Sequence, residues 1–499
     1  MYVRVRYAPS PTGLQHIGGL RTALFNYLFA RSQGGTFILR LEDTDRSRFD
    51  QSFVKNLYDT FSWLGIQWDE GPDTGGPSAP YIQSERTELY RKYAQQLLAS
   101  GSAYHCFCST ERLEMIRAGR EAAHSSESGY DRHCRDIPPS EAAARAHDEP
   151  HVIRLKIPLG ERTEFTDHLL GSIAWDNDDV NPDPVLIKSD GFPTYHLANV
   201  VDDHCMGITH VLRAQEWLSS TPLHCMIYRA FGWAAPLFCH LPMVLGQDGK
   251  KLSKRHGSTS LDEFRRAGYL PQALINYVAL LGASYKEGVE FYSLDELAQH
   301  FNQNKLNKAP AVFDYKKLEW YNAQYIRMQS DEALAVLALP FAREQGLFGE
   351  PDAPPDPAQT ALFGAAMPLI KERVSFLSEI PAKIQYLFSE PAVPAPQEFF
   401  PKKATLQKTI ELLSLAQSII PTLAGFDDDA AAEQYVKDTA ERSCVKIGDL
   451  MMPLRVAITG SRISPPLFAS IRLLGQAKCC ASVDRALCSL RATAGTVYL

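Results

Sequence analysis

The sequence predicts an α/β fold in which a parallel-sheet domain is split by an α+β insertion and followed by an all-α C-terminal region. Three observations lead to this prediction. Short β-branched segments alternate with helix-spaced apolar residues over roughly the first hundred residues. A stretch with paired cysteines interrupts this rhythm near 104–185. From residue 263 onward the pattern is almost entirely helical.

The N-terminal part is predicted to alternate between strands and helices. Residues 3–7 and 37–42 are short and rich in β-branched or large apolar side chains, as strands are. Residues 20–32 carry Leu and Tyr side chains three and four positions apart, which indicates a helix. Residues 84–99 repeat that spacing, with Ser84 as a candidate N-cap. The order strand, helix, strand, helix predicts a parallel sheet.

Later segments delimit the insertion and return to the sheet. We expect a strand at 151–158, a strand and a D-G turn within 184–204, and a strand at 208–213 that leads into a helix. A basic loop follows at 248–257. The chain is therefore divided into a split parallel-sheet domain, an insertion, a connecting region and a helical C-terminal domain. Their predicted boundaries are 1–103 with 186–262, 104–185, 263–330 and 331–499.

The composition excludes several classes of protein. An apolar content of 45%, a charged content of 22% and a net charge of −7 argue against a generally basic nucleic-acid binder. Positive charge is nevertheless concentrated in 1–48 and 240–266, where seven and six basic residues accompany only three acidic residues each. We recognise no signal peptide and no apolar run of about 18 residues, and the ten cysteines are dispersed. We therefore expect a cytoplasmic protein with reduced thiols.

A loop rich in glycine and proline joins the first predicted strand to the first predicted helix. Residues 9–19 read PSPTGLQHIGG. Backbone N–H groups at a helix N-terminus bind phosphate, glycine permits close approach, and His16 can donate to phosphate oxygens. The alternative interpretation is a tight turn that binds no ligand. On its own, this loop indicates a candidate anion site.

A second loop, at the other end of the split domain, carries a cluster of positive charge. Residues 251–255 read KLSKR, and glycines stand at 246, 249 and 257. Two lysines and an arginine on such a loop can clamp a triphosphate and stabilise charge that develops in a transition state. A solvated basic turn is the alternative for this string alone. Together with the first loop, it predicts a nucleoside triphosphate site.

The two loops together resemble the signature loops of class I aminoacyl-tRNA synthetases, which usually read HIGH and KMSKS. Here they read HIGG at 16–19 and KLSKR at 251–255, so Gly19 stands where the class has a second histidine. Five segments look like bacterial-type glutamyl-tRNA synthetases, and they extend the resemblance over essentially the whole chain. They are residues 6–30, 40–46, 189–218, 313–326 and 453–460.

The resemblance implies an architecture and a reaction. The architecture is a Rossmann-type catalytic domain with an acceptor-binding insertion, a stem-contact region and a helical anticodon-binding domain. The reaction joins L-glutamate to tRNA(Glu): ATP-dependent formation of glutamyl-adenylate is followed by transfer to the 2′-OH of the terminal adenosine of the tRNA. The expected ligands are ATP with Mg²⁺, L-glutamate and tRNA(Glu). We expect a monomer without a membrane partner.

The charges of glutamate determine what its pocket must contain. Two carboxylates and one ammonium group require two cations and one anion, which Arg6, Arg213 and Glu42 supply. Tyr195 and Asn199 are four residues apart and share a face if their segment is helical. By resemblance, the glutamate pocket consists of Arg6, Ser10, Glu42, Tyr195, Asn199 and Arg213. Which arginine binds which carboxylate stays open.

The resemblance also assigns the ATP site and the catalytic loops. No protein nucleophile is required, so catalysis rests on alignment and on charge stabilisation. The ATP-binding residues implied by the resemblance are His16, Gly18, Gly19, Glu216 and Lys254. The catalytic residues that it implies are His16, Lys251, Ser253 and Lys254.

The insertion contains a candidate zinc site. Cys106, Cys108 and Cys134 offer three thiolates, the preferred ligands of structural zinc. Related enzymes complete such a site with a tyrosine or a histidine, and here Asp136 stands where some of them have histidine. The fourth ligand is therefore left open among Tyr130, His133 and Asp136. Three buried reduced cysteines without metal are the alternative.

The helical C-terminal region is assigned to tRNA by resemblance alone. Arg373 corresponds to a position that inspects the third anticodon base, and arginine is suited to stack on or hydrogen-bond to a splayed base. A surface charge is the alternative for this residue. Two alternative functions are considered for the chain. One is a glutamyl-queuosine tRNA(Asp) synthetase, whose family lacks the helical domain, and the other is a non-catalytic tRNA-binding paralogue.

Overall fold

A computed structural model describes residues 2–45, 48–124, 129–402 and 404–496. Arg46, the last residue of the 40–46 motif, and the final three residues of the predicted C-terminal domain lie outside the described residues. The chain forms two compact units. The first comprises Met1–Phe264 with Leu274–Tyr315, and the second comprises Arg265–Ala273 with Lys316–Leu499.

The strands of the described chain all belong to the first unit. They are β1 (Arg4–Tyr7), β2 (Thr36–Leu39), β3 (Ala103–Cys106), β4 (Val152–Leu155), β5 (Arg162–Asp167), β6 (Gly171–Asp176), β7 (Val185–Ile187), β8 (His210–Ala214), β9 (Leu237–Leu241), β10 (Val244–Leu245) and β11 (Ala311–Val312).

The helices extend over both units. The N-terminal ten are α1 (Ile17–Ser32), α2 (Gln51–Leu64), α3 (Thr87–Ala99), α4 (Thr110–Ala122), α5 (Pro139–Asp148), α6 (Tyr195–Cys205), α7 (Thr221–Phe231), α8 (Leu261–Ala267), α9 (Pro271–Leu280) and α10 (Leu294–His300). The others are α11 (Tyr315–Met328), α12 (Asp331–Glu344), α13 (Pro357–Ile370), α14 (Ile380–Phe388), α15 (Leu406–Leu423), α16 (Asp429–Arg442), α17 (Ile447–Thr459) and α18 (Leu467–Thr496).

The sheet that supports the first unit is mixed. Strand β1 pairs with β2 and β8 pairs with β9, both in parallel, and the N–H of Thr209 donates to the carbonyl of Arg4 at 2.9 Å, beside β8. The hairpin of β5 and β6 joins β9 through a parallel contact at Asp167. The α/β prediction is thus confirmed, and the added hairpin makes the sheet mixed. Strands β3, β4 and β7 form a separate antiparallel sheet.

Two predicted helix starts differ from the structure. Helix α1 begins at Ile17 rather than at residue 20, because the side chain of His16 caps it by accepting a hydrogen bond from Gly19 N. Ser84 is not an N-cap: it lies inside a 3₁₀ turn, Gln83–Arg86, and α3 begins only at Thr87. The N–H of Ser84 donates to the carboxylate of Asp43 at 2.8 Å, and this contact holds the turn instead.

A network of buried charges lies at the centre of the first unit. Arg40 is fully buried, and its guanidinium contacts Asp203 at 2.7 Å, Glu42 at 3.0 Å and Asp202 at 3.8 Å. Arg6 of β1 binds both carboxylate oxygens of Asp203, at 3.0 and 3.1 Å. The two aspartates are neighbours on α6, so the network ties that helix to β1 and to the end of β2. Burial alone would raise the pKa of Asp203, but the charges of Arg6 and Arg40 outweigh this effect and hold that pKa below its ordinary value.

The second unit is helical, as predicted. Its C-terminal core consists of apolar residues from α15, α16, α17 and α18, among them Leu413, Ile420, Leu454 and Leu487. Gly475 interrupts α18 with φ +77° and ψ 163°, a backbone conformation that only glycine adopts readily. Within the described residues, every helix is either too short or too polar to cross a bilayer.

We expect Arg40→Met to lower the free energy of unfolding of the first unit by about 3–5 kcal/mol, because it leaves the buried Asp203 and Glu42 without their shared cation. The urea midpoint measures this change. Arg117→Met provides the matched control, since Arg117 forms an exposed pair with Glu121 on α4 and its loss should leave the midpoint unchanged. Equal midpoints for the two variants would contradict the central role of the network.

Candidate active site

A single cleft of about 1360 Å³ in the first unit brings together every residue predicted for the amino-acid and nucleotide sites. It is lined by the first loop, by the end of β8, by the start of α6 and by the second loop. The predicted residues among its lining are Arg6, Ser10, His16, Gly18, Gly19, Glu42, Tyr195, Asn199, Arg213, Glu216, Lys251, Ser253 and Lys254.

The first loop meets the chain that follows the second loop. The N–H of Ile17 donates to the carbonyl of Thr259 at 3.1 Å, and His16 forms a bridge with Ser260. Two motifs more than two hundred positions apart in sequence are therefore neighbours in space. Desolvation within the cleft lowers the pKa of His16, and the nearby charge of Lys251 acts in the same direction. Since its Nδ1 accepts from Gly19, the neutral ring carries its proton on Nε2.

The second loop is held by its own histidine. The ring of His256 accepts a hydrogen bond from Ser253 N at 3.0 Å, and its other nitrogen lies 3.0 Å from the carboxylate of Asp248. A short 3₁₀ turn, Lys254–His256, results. Lys251 forms an ion pair with Glu216 across the cleft. The loop thus presents two lysines to one space, and one of them already contacts a carboxylate.

One wall of the cleft belongs to the buried charge network. Arg6 and Glu42 both line the cleft while they contact Asp203 and Arg40 behind it. Burial raises the pKa of Glu42 above its ordinary value, although the charges of Arg40 and Arg6 oppose this. The wall therefore combines positive and negative groups in fixed positions.

Arg213 at the end of β8 differs from Arg6 in the charge of its surroundings. Only 4% of it is exposed, and its five hydrogen-bond partners among the described residues are all uncharged. They are His240 at 3.1 Å, Tyr195 at 3.2 Å, His224 at 3.2 Å, the carbonyl of Trp217 at 3.3 Å and Thr221 at 2.8 Å. Burial lowers the pKa of Arg213, yet a guanidinium stays charged at neutral pH. This residue is a buried positive charge that faces the cleft, and no carboxylate of the described residues is hydrogen-bonded to it; the charge of Asp203 acts on it without direct contact.

The helical arrangement predicted for Tyr195 and Asn199 is found on α6. Tyr195 and Asn199 lie one helical turn apart, and both line the cleft. The ring of Tyr195 lies 4.5 Å from that of Trp217, between centroids, and its hydroxyl accepts the hydrogen bond from Arg213.

Sequence reasoning missed the residues that hold these side chains in place. Asp203, His224 and His240 contact the predicted arginines directly, and Trp217 lines the cleft. Their signal in the sequence is weak, because no motif quoted above singles out these four residues from their neighbours. Only the spatial contact with an arginine reveals a role.

The three cysteines of the insertion form a cluster. The Sγ atoms of Cys106, Cys108 and Cys134 all lie within 4.8 Å of one another, with 3.6 Å between those of Cys108 and Cys134. The hydroxyl of Tyr130 lies 3.3 Å from Cys106 Sγ and 3.7 Å from Cys108 Sγ. Asp136 is directed elsewhere: its side chain is 90% exposed and approaches Lys156 at 3.7 Å. His133 is exposed and does not belong to the cluster of metal-ligating side chains.

A second cavity, of about 770 Å³, lies in the helical unit and is lined by Arg373. Arg373 is exposed and contacts the carbonyl of Ser464 at 3.5 Å. Arg455 donates a hydrogen bond to the hydroxyl of the same serine at 2.7 Å. Burial lowers the pKa of Arg455, and the nearby charge of Arg373 lowers it further. Two cations therefore lie near each other beside this cavity.

Two family models match this chain, and together they extend over most of both units. A family model described as tRNA synthetases class I (E and Q), catalytic domain, matches residues 2–320. A second model, described as an anticodon binding domain, matches residues 333–487.

Individual proteins match over almost the full length. The glutamate–tRNA ligase of Treponema denticola is 54% identical over 98% of this chain and 99% of its own length. The glutamate–tRNA ligase of Dehalococcoides mccartyi is 44% identical over 98% of each. A crystal structure of a glutamate tRNA ligase from Elizabethkingia meningosepticum in complex with its amino acid superposes with a TM-score of 0.87, at 36% identity, over 98% of this chain and 100% of that one.

Proposed function

The chain belongs to the class I tRNA synthetases of the glutamate and glutamine group, and from this membership we propose how its cleft joins L-glutamate to tRNA. The enzyme is a glutamate–tRNA ligase that uses ATP and Mg²⁺. In the first step the α-carboxylate of glutamate attacks the α-phosphate of ATP, and pyrophosphate leaves with the electrons of the broken P–O bond. In the second step the 2′-OH of the terminal adenosine of tRNA(Glu) attacks the activated carbonyl, and AMP leaves.

The two other functions considered for the chain are not favoured. A glutamyl-queuosine tRNA(Asp) synthetase would lack the helical domain, whereas an anticodon binding domain matches residues 333–487 here. A non-catalytic paralogue would be expected to have lost signature residues, whereas His16, Lys251 and Lys254 are all present and line one cleft.

The observation that carries the choice of glutamate is the buried charge of Arg213, whose hydrogen-bond partners among the described residues are all uncharged. The α-carboxylate must stay beside the two signature loops to reach ATP, so the other carboxylate extends away from them. Arg213 is buried, is surrounded by uncharged partners and lines the same cleft, and we assign the side-chain carboxylate of glutamate to it. The carboxylate of Asp203 partly neutralises the charge of Arg6, so Arg6 contributes a weaker positive potential to the same wall.

The remaining pocket residues complete the recognition of glutamate. We assign the ammonium group to the wall that contains Glu42, with Ser10 and Asn199 as hydrogen-bonding groups at the rim. Tyr195 closes the pocket beside Arg213. Glutamine is rejected because its amide would leave the charge of Arg213 buried without an anion, a cost of several kcal/mol.

The two loops supply the charge stabilisation of the first step. We assign the triphosphate to the N-terminus of α1, where His16 donates from Nε2 and the backbone of Gly18 and Gly19 approaches closely. Lys254 and Lys251 stabilise the negative charge on the leaving pyrophosphate, with Ser253 at the base of the turn. Phosphate competes with Glu216 for Lys251, which releases Glu216 toward the ribose of ATP.

The helical unit binds the tRNA anticodon. We assign the inspection of an anticodon base to Arg373, and we add Arg455, since the two cations lie beside one cavity large enough for a splayed base. We further propose that the enzyme acts as a monomer in the cytoplasm, in keeping with ten free cysteines.

The cysteine cluster fits a structural zinc ion. With zinc–sulfur bonds of about 2.3 Å, tetrahedral geometry separates two sulfurs by about 3.8 Å, close to the 3.6 Å between Cys108 and Cys134. We assign Tyr130 to the fourth corner, because its hydroxyl lies 3.3 Å from Cys106 Sγ, whereas Asp136 approaches Lys156 and His133 is exposed. Zinc held here would fix the fold of the insertion.

We expect the wild-type enzyme to catalyse ATP–pyrophosphate exchange with glutamate in the presence of tRNA(Glu), and Lys254→Ala to lower the rate by at least about 100-fold, because it removes charge stabilisation of the transition state. The melting temperature should hardly change, since Lys254 is exposed. Exchange with glutamine but not glutamate would overturn the function, and an unaltered rate in the variant would remove the loop assignment.

We expect Arg213→Gln to raise the KM for glutamate by about 10- to 100-fold, because a charge-assisted contact with the substrate is lost, while the KM for ATP stays nearly constant. Arg229→Gln is the matched control, since Arg229 lies on α7 and pairs with Glu161 at 3.7 Å outside the cleft. Steady-state aminoacylation measures both constants. A proportional rise of the two KM values would mean that Arg213 is structural.

We expect the purified protein to contain about one zinc ion per chain by elemental analysis. Cys108→Ser should abolish zinc binding and Tyr130→Phe should weaken it, because both remove a ligand, whereas Asp136→Ala should retain the full amount. Zinc far below one per chain in the wild-type protein would indicate a metal-free cluster.

A further inference from the structure

A line of three buried side chains crosses the central sheet and ends at the glutamate pocket. Asp167 is at the end of β5, His240 is on β9 and Arg213 is on β8. Nδ1 of His240 lies 2.6 Å from the carboxylate of Asp167, and Nε2 of the same ring lies 3.1 Å from Nε of Arg213. Asp167 and His240 are at most 1% exposed, and neither has a role in the function proposed above.

The contacts determine which nitrogen of His240 carries the proton. A guanidinium can only donate hydrogen bonds, so Nε2, which faces Arg213, must present its lone pair. The proton of the neutral ring is then on Nδ1, where it is donated to Asp167. Burial lowers the pKa of His240 despite the neighbouring carboxylate, so the ring remains neutral at pH 7. Asp167 thus selects the one tautomer that can accept from Arg213.

A second histidine repeats this arrangement on the other side of the guanidinium. Nδ1 of His224 lies 3.2 Å from the terminal nitrogen Nη1 of Arg213, so in this ring Nδ1 must accept. The proton of His224 is consequently on Nε2, and Nε2 donates to Nδ1 of His196 at 3.1 Å. Burial lowers the pKa of His224 well below its ordinary value and that of His196 to about 4.

We propose that His240 and His224, with Asp167 behind the first, are positioning residues that hold Arg213 through neutral acceptors and so preserve its full positive charge for the side-chain carboxylate of glutamate. This inference rests on the proposed function. A carboxylate in place of either ring would orient the guanidinium equally well but would cancel the charge that selects the substrate. Arg6, which binds Asp203 directly, is the contrasting case within the same cleft.

The two nitrogens of a histidine can be replaced separately, which makes the proposal testable at position 240. The side-chain amide of asparagine reaches the place of Nδ1, and that of glutamine reaches the place of Nε2. His240→Asn keeps the donor to Asp167 and loses the acceptor for Arg213, whereas His240→Gln keeps the acceptor. We expect His240→Asn to raise the KM for glutamate about tenfold, and His240→Gln to raise it distinctly less.

The expected order is reversed at position 224, because there the acceptor is Nδ1. His224→Asn keeps an acceptor for Arg213, and His224→Gln does not. We therefore expect the larger rise in the KM for glutamate from His224→Gln. In all four variants the KM for ATP should stay within about twofold of the wild-type value, since the altered contact is confined to the amino-acid pocket.

A purely structural role predicts a different pattern. If His240 served only to satisfy Asp167, His240→Asn would resemble the wild type and His240→Gln would be the damaged variant. The same two substitutions at His210, which lies on β8 and contacts Thr209 at 2.9 Å away from the cleft, provide the matched control.

The measurement is steady-state aminoacylation of tRNA(Glu) with glutamate or ATP varied, together with the melting temperature of each variant. Opposite orders of Asn and Gln at the two positions would support the proposal. The same order at both positions, or equal changes in the two KM values, would overturn it. If variants at one position do not fold, the order at the other decides. The proposed function is tested separately, by the activity of the wild-type enzyme with glutamate.

Discussion

Burying an arginine costs free energy that nearby anions offset, and Arg40 contacts three carboxylates from two parts of the chain. Two of them are on α6 and the third, Glu42, follows β2. Because Asp203 also binds Arg6, the same network fixes one wall of the glutamate pocket. The positions of Arg6 and Glu42 in the glutamate pocket therefore depend on the contacts that these two residues make within the buried network.

The two arginines of the pocket show how one fold can use the same side chain in two electrostatic states. Arg6 forms an ion pair with Asp203, so its charge is largely neutralised within the protein. Arg213 is bound by imidazole, phenol, hydroxyl and carbonyl groups, so its charge is available to a ligand. Selectivity for an acid over its amide thus depends on the groups behind the binding residue as much as on the residue itself.

The sequence alone predicted those elements and loops that are specified by residues close together along the chain. Strand and helix spacing predicted β1, α1 and β8, and the two signature loops led to the cleft that the structure contains. Ser84 was misassigned because the choice between a cap and a 3₁₀ turn depends on Asp43, 41 positions away. Likewise, nothing near His240 in sequence indicates Asp167 or Arg213 as its partners. Such roles arise from contacts between strands that are adjacent only after folding.

The departure of the first loop from the general class signature has a steric cause within the fold. A Cβ atom at Gly19 would lie 2.8 Å from the hydroxyl of Tyr7, which is itself buried and bonded to Gln15 at 2.8 Å. A side chain at position 19 would therefore require the buried ring of Tyr7 to move and its hydrogen bond to Gln15 to change. Glycine at position 19 is therefore what allows the loop, the ring of Tyr7 and the side chain of Gln15 to pack as closely as they do.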